Sequence, residues 1–226
     1  MIYKCGAGES YIDPSTRYEP AEGWYKNCVL YHSKKYIPLL AEFDISKDTI
    51  CFDAEMGCTE THRKIVENYF KGSRTFINIG ACGAFVPGNA NLKLGDIVEP
   101  SSILFMAGFN RIFTNRKYIN TKCKYGAKKV VVECVPTLYY NKKFIAPYVD
   151  CAEQESEAVV VTCEWLNYNY GKKYGKCEYY NLFYVSDIVH RSGKAWVDTL
   201  KLHEQGDKYR REVLSLILEG GVEHGK

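Results

Sequence analysis

The sequence has no Cys-x-x-Cys pair, no run approaching 18 apolar residues and no block of like charge. Each absence removes a class of protein. The ten cysteines, at positions 5, 28, 51, 58, 82, 123, 134, 151, 163 and 177, form no such pair, so no metal site is expected. With no apolar signal core at Met1-Ile2-Tyr3-Lys4 and no spanning run, the reading is a cytoplasmic protein that does not engage a membrane and keeps its cysteines as reduced thiols. A net charge of +3 with scattered lysines gives no basic surface for nucleic acid. Gly80-Ala81-Cys82-Gly83 is not a dinucleotide fingerprint, and no ribose-binding acid follows it at the usual interval. No cofactor is expected.

What is present is enough for one large domain. At 226 residues and 46% hydrophobic content, the chain can bury a sizeable core. Residues 1–27 are rich in Gly, Pro, Tyr and charge and read as an irregular arm. Residues 28–226 read as a single α/β domain, a twisted mixed sheet flanked by helices. Strands are expected at Cys28–Tyr31, Thr49–Phe52, Phe76–Ile79, Leu94–Pro100, Lys129–Cys134, Ala158–Cys163 and Tyr179–Val185. Helices are expected near Lys35–Glu42, Thr59–Lys71, Asn115–Lys124, Phe144–Glu157, Trp165–Lys173 and Asp207–Leu218.

The stretch Phe76-Ile77-Asn78-Ile79-Gly80-Ala81-Cys82-Gly83-Ala84-Phe85 organises this reading. Its apolar part is a buried strand, and its glycines let backbone N–H groups approach an oxygen-rich ligand. Ligands of open parallel sheets sit beyond the strands' carboxyl ends, which makes Gly80–Ala84 the floor of a candidate site. Two acids each follow an apolar run: Glu164 after Val159–Cys163, and Asp187 after Leu182–Ser186. Carboxylates so placed are costly unless solvated, paired or used, and a pair in unlike surroundings can divide acid and charge-stabilising roles.

Asn78–Ala84, Leu94-Gly95-Asp96-Ile97-Val98, Val161–Glu164 and Val185-Ser186-Asp187 together resemble the nucleoside phosphorylase and nucleosidase superfamily. The resemblance spans roughly residues 50 to 190. It implies cleavage of the N-glycosidic bond of a purine nucleoside by a homo-oligomer, dimer or hexamer. Carried over by residue, Asp187 protonates the departing base and Ser186 positions it. Glu164 holds the ribose hydroxyls and Cys163 lies against the sugar. Tyr139 packs on the base, Met56 approaches the sugar, and Gly80, Ala81, Cys82 and Gly83 line the floor. Glu153-Gln154-Glu155 offers a competing match that would make Glu155 the ribose ligand. We set it second because Glu155 reads as helical whereas Glu164 reads as a strand end.

The match weakens where phosphate would bind. The family's Gly-Asp-Pro-x-Arg loop is replaced by Tyr31-His32-Ser33-Lys34-Lys35, the arginine before the glycines by Asn78, and the hydroxyl residue by Ala81. Phosphate needs several fixed cationic donors, so Asn78 and Lys34 are left as the residues of an acceptor site that leans towards water. No counterpart of the glutamate that activates water in the nucleosidases is apparent. The alternative is a catalytically silent protein of the same fold that binds a nucleoside or serves as a storage or scaffold protein.

Overall fold

The computed structural model describes residues 24–54, 58–86, 88–106, 116–135, 147–190, 196–197 and 202–220. Most of the expected arm therefore lies outside the described residues, as do Met56 and Tyr139. The strands are β1 (Asn27–Tyr31), β2 (Thr49–Asp53), β3 (Thr75–Val86), β4 (Ile97–Met106), β5 (Arg116–Asn120), β6 (Lys128–Cys134), β7 (Cys151–Glu153), β8 (Glu178–His190) and β9 (Trp196–Val197). The helices are α1 (Tyr36–Leu40), α2 (Cys58–Lys71), α3 (Ser156–Asn169), α4 (Gly171–Tyr174) and α5 (Leu202–Leu218). The described strands form one nine-stranded mixed sheet in the order β2-β1-β3-β7-β6-β4-β8-β9, with β5 beside β4 and β3 also paired to β8.

Alternation along the strands gives the sheet two apolar faces. Cys28, Leu30 and Phe76 pack under α2 and α3 with Ile65, Tyr69, Val159 and Leu166. Val29, Tyr31, Ile77 and Ile79 face α1 and α5, against Tyr36, Leu39, Val213 and Leu214. Further along, β3, β7, β6, β4 and β8 close on themselves. Cys82, Val98, Val130, Val132, Cys151, Phe183 and Val185 fill a third cluster there. Gly95, at φ +84°, makes the turn into β4, and the Tyr209 ring stands 2.2 Å from where a Cβ would be, so only glycine fits.

Three expectations fail. Asn115–Lys124 is not a helix. Its core is β5, whose one described partner is β4, and the charges that suggested a polar helix face are those of a strand at the sheet's margin. Phe144–Glu157 is not a continuous helix, because β7 lies within it, paired to β3 and β6. Ala158–Cys163 is not a strand but the body of α3. There Val159, Val160, Cys163 and Leu166 are buried while Val161, Glu164 and Tyr168 point outward. That spacing is helical, and packing on the sheet overrides the β-preference of the three valines.

Candidate active site

β3 carries the site by being paired unevenly along its two edges. On one edge β8 runs beside it from Thr75 to Val86. On the other, β1 ends with Tyr31 opposite Ile79, and β7 begins with Ala152 opposite Gly83. Between them, Gly80, Ala81 and Cys82 have no strand partner on that edge among the described residues. This notch leaves backbone groups for a ligand, and Ala81 is exposed in it. The glycine segment is thus a length of strand and not the region beyond a strand's carboxyl end that the sequence suggested. Its openness comes from the missing neighbour.

Across β3 the register with β8 slips by one residue. Cys82 pairs with Val185 and Gly83 with Asp187, so Ser186 is the extra residue of a bulge. A bulge turns a strand locally and re-aims the next side chain. Ser186 Oγ donates to Asp187 Oδ2 at 2.6 Å and lies 3.3 Å from the Cys82 carbonyl oxygen. One hydroxyl therefore ties the acid to the floor strand.

On the notch's other side, β7 runs into α3. Glu153 is buried, and its Oε2 accepts the backbone N–H groups of Glu155 (2.7 Å) and Ser156 (2.9 Å), while the Ser156 hydroxyl donates to Oε1. This carboxylate satisfies orphan donors at the start of α3. Burial, and then the charge of Glu155, push its pKa up to about 7. Glu155 follows at the strand-to-helix junction and is 8% exposed. Ala152, Gly83 and Asp187 lie side by side on adjacent strands, so the backbones of Ala152 and Asp187 stand about 10 Å apart. Gly83, between them on β3, carries no side chain.

Glu164 is elsewhere. It is exposed in the middle of α3 and accepts a hydrogen bond from Tyr179 Oη at 2.9 Å. Tyr179 and Asp187 are separated by eight steps of β8, about 26 Å of extended chain. The two acids expected to face one another are near opposite ends of that strand. Cys163 also leaves the site: it is fully buried against Cys28, Ile65, Phe70 and Leu166, and burial, then the Cys177 thiol, raise its pKa. Lys34 is exposed in the turn before α1.

Asn78 is fully buried and belongs to a chain of side chains across three strands. His32 Nε2 lies 2.6 Å from Asn78 Oδ1, and Asn78 Nδ2 donates to Asn181 Oδ1 at 2.9 Å. His32 follows Tyr31 directly, at the β1 side of the notch.

The arrangement of these strands is shared with solved structures. A 5′-methylthioadenosine/S-adenosylhomocysteine nucleosidase from Helicobacter pylori, solved with butyl-thio-DADMe-Immucillin-A, superposes with a TM-score of 0.66 over 88% of this chain and 100% of its own, at 13% identity. The corresponding nucleosidase of Campylobacter jejuni gives a TM-score of 0.63 over 86% and 97%, at 16% identity. A purine nucleoside phosphorylase from Toxoplasma gondii, in complex with immucillin-H, gives 0.63 over 88% and 90%, at 12% identity. The chain has the nucleoside phosphorylase and nucleosidase fold. No protein-family model and no curated protein matches the sequence, so the likeness is one of architecture.

Of the residues singled out from sequence, Asp187, Ser186 and the glycine segment lie on adjoining strands, whereas Glu164 lies on the exposed side of α3. The signal for Glu155 was present in Glu153-Gln154-Glu155-Ser156, an acid and a hydroxyl residue opening a helical apolar pattern. The hydrogen-bond chain from His32 gave no signal, because Asn78 and Asn181 are 46 and 149 positions away.

Proposed function

We propose that the chain cleaves the N-glycosidic bond of a purine nucleoside and releases the free base, with Asp187 as general acid and Glu155 as the carboxylate that holds the ribose. The observation that carries this reading is the notch beside Gly80–Cys82, flanked by the Ser186 bulge on one strand and by the Glu153–Glu155 junction on another. The fold supports it, since neighbours of this architecture were solved with purine nucleoside analogues. Breaking the C1′–N9 bond leaves an oxocarbenium-like sugar, which a fixed carboxylate stabilises. The purine departs more readily once protonated at N7, and a positioned acid contributes roughly 10²–10⁴-fold.

Gly80, Ala81, Cys82 and Gly83 form the floor in this account, Ser186 orients the acid, and Tyr139 and Met56 are assigned to the base and the sugar. Glu155 replaces Glu164 as ribose ligand because of where the two stand. Water is the favoured acceptor, because Asn78 supplies no charge and Ala81 no hydroxyl for a phosphate.

Incubation with a purine nucleoside panel, with and without phosphate, tests the reading. Release of adenine or hypoxanthine, lost in Asp187→Asn, supports it. Tight nucleoside binding with no product under either condition overturns it in favour of a silent binding protein.

A further inference from the structure

The α5 side of the sheet holds a cation that the cleavage chemistry does not use. Arg210 is 6% exposed, and its guanidinium carbon lies 5.8 Å from the centroid of the Tyr36 ring and 5.6 Å from that of Tyr184. Among the described residues its one carboxylate partner is Asp207, three residues earlier on α5 and half exposed, which accepts from Nη1 at 2.7 Å. Nε has no hydrogen-bond partner among the described residues, and neither has the hydroxyl of Tyr36, a residue 1% exposed. Two buried donors left unmatched, one of them on a charged group, are costly. Burial pushes the pKa of both phenols up, so Tyr36 keeps its proton at neutral pH and can donate. Gly206 makes room for the guanidinium, since a Cβ there would stand 2.9 Å from Nη1. The cluster adjoins the notch. Tyr184 pairs with Ala81 and Asp187 with Gly83, two steps apart along β3, or about 7 Å. Asn78 alternates with Ile77 and Ile79, which face α5, so it belongs to the opposite face.

We propose that Arg210 and Tyr36 form a subsite for an oxyanion of the phosphate type, either free phosphate or the phosphoryl group of a nucleoside 5′-monophosphate. Arg210 Nε and the Tyr36 hydroxyl supply the two uncommitted donors, and the guanidinium supplies the charge. One donor comes from α1 and the other from α5. Donors on separate elements suit a tetrahedral anion, whose oxygens point in several directions, better than a planar carboxylate. Asp207 offsets the guanidinium charge at its solvent side, and the anion completes the pairing from within. The lack of charge at Asn78 does not bear on this subsite, because Asn78 is on the other face of the sheet.

Calorimetric titration with inorganic phosphate, adenosine and adenosine 5′-monophosphate, at constant ionic strength in chloride, tests the subsite through binding alone. The wild type is expected to bind phosphate saturably, or to bind adenosine 5′-monophosphate at least about tenfold tighter than adenosine. The first result marks free phosphate as the ligand and the second a nucleotide. Arg210→Met is expected to weaken that binding roughly 10–100-fold, and Tyr36→Phe, which keeps the ring, about fivefold. Gly206→Ala favours the helix but crowds Nη1, and should weaken binding as well. Exchange of a buried charge for an apolar side chain is often neutral for stability; should Arg210→Met not fold, Tyr36→Phe and Gly206→Ala carry the test. A wild type that distinguishes neither phosphate from chloride nor the nucleotide from the nucleoside overturns the proposal. So does binding that survives these substitutions undiminished, which is an adventitious ion only. Base release is read separately. A chain that binds phosphate through Arg210 and releases no base keeps this subsite and overturns the cleavage reading, whereas one that cleaves nucleosides and ignores both anions does the reverse.

Discussion

The two ends of β8 show what places an acid where it can act. At its beginning, Tyr179 meets the exposed Glu164 on the outer side of α3, in regular strand and helix. Near its end the pairing slips, Ser186 bulges, and Asp187 is turned beside a glycine whose own strand has lost a neighbour. α3 repeats the contrast. Its first turn gathers two buried acids and a network of donors around Glu153, whereas its middle carries an acid in water with one phenol partner. Irregular pairing, and not apolar surroundings alone, marks the proposed site.

The comparison is broken most directly at Asp187. Replacement by Asn keeps the shape and the Ser186 contact but removes the transferable proton. Base release should fall roughly 10²–10⁴-fold with an unchanged thermal midpoint. A smaller loss, roughly 10²–10³-fold, is expected for Glu155→Gln, together with weaker binding of nucleosides and unchanged binding of free base. Ser186→Ala removes one hydrogen bond to the acid, so about a tenfold drop in kcat is expected, the equivalent of about 1.4 kcal/mol.

Glu153 gives a prediction about stability. Its pKa is raised from 4.5 in the open chain to about 7 in the fold, so the folded state holds a proton that the unfolded chain has released. Stability therefore declines as pH rises from about 4.5 to about 7 and changes little from this group outside that window. Urea unfolding across the window should show the slope in wild type and lose it in Glu153→Gln. Glu155→Gln, by removing the neighbouring charge, should make it shallower. The smallest effect belongs to Glu164→Gln, which should leave activity alone and change stability by no more than about 0.5 kcal/mol, as expected for an exposed contact.

Much of the scaffold was legible because it is written in local patterns. The runs Cys28–Tyr31, Thr49–Phe52, Lys129–Cys134 and Tyr179–Val185 are strands within a few residues of their bounds, and Thr59–Lys71 and Asp207–Leu218 are helical. Ala158–Cys163 misled because three adjacent valines carry a strong β-preference, while the evidence for a helix was spread over Val159, Cys163 and Leu166. That one substitution of strand for helix is why Glu164 was preferred to Glu155 from sequence. The glycine segment was read as lying past a strand's end, but it lies within β3: its accessibility depends on where β1 stops and β7 starts, which no window of ten residues contains. The hydrogen-bond chain from His32 to Asn181 was illegible for the same reason.

Side-by-side rates of adenine release from 5′-methylthioadenosine by Glu155→Gln and Glu164→Gln test the central placement most directly. The account predicts a wild-type rate for Glu164→Gln and a rate at least roughly 100-fold lower for Glu155→Gln. An inactive Glu164→Gln beside a fully active Glu155→Gln would contradict it.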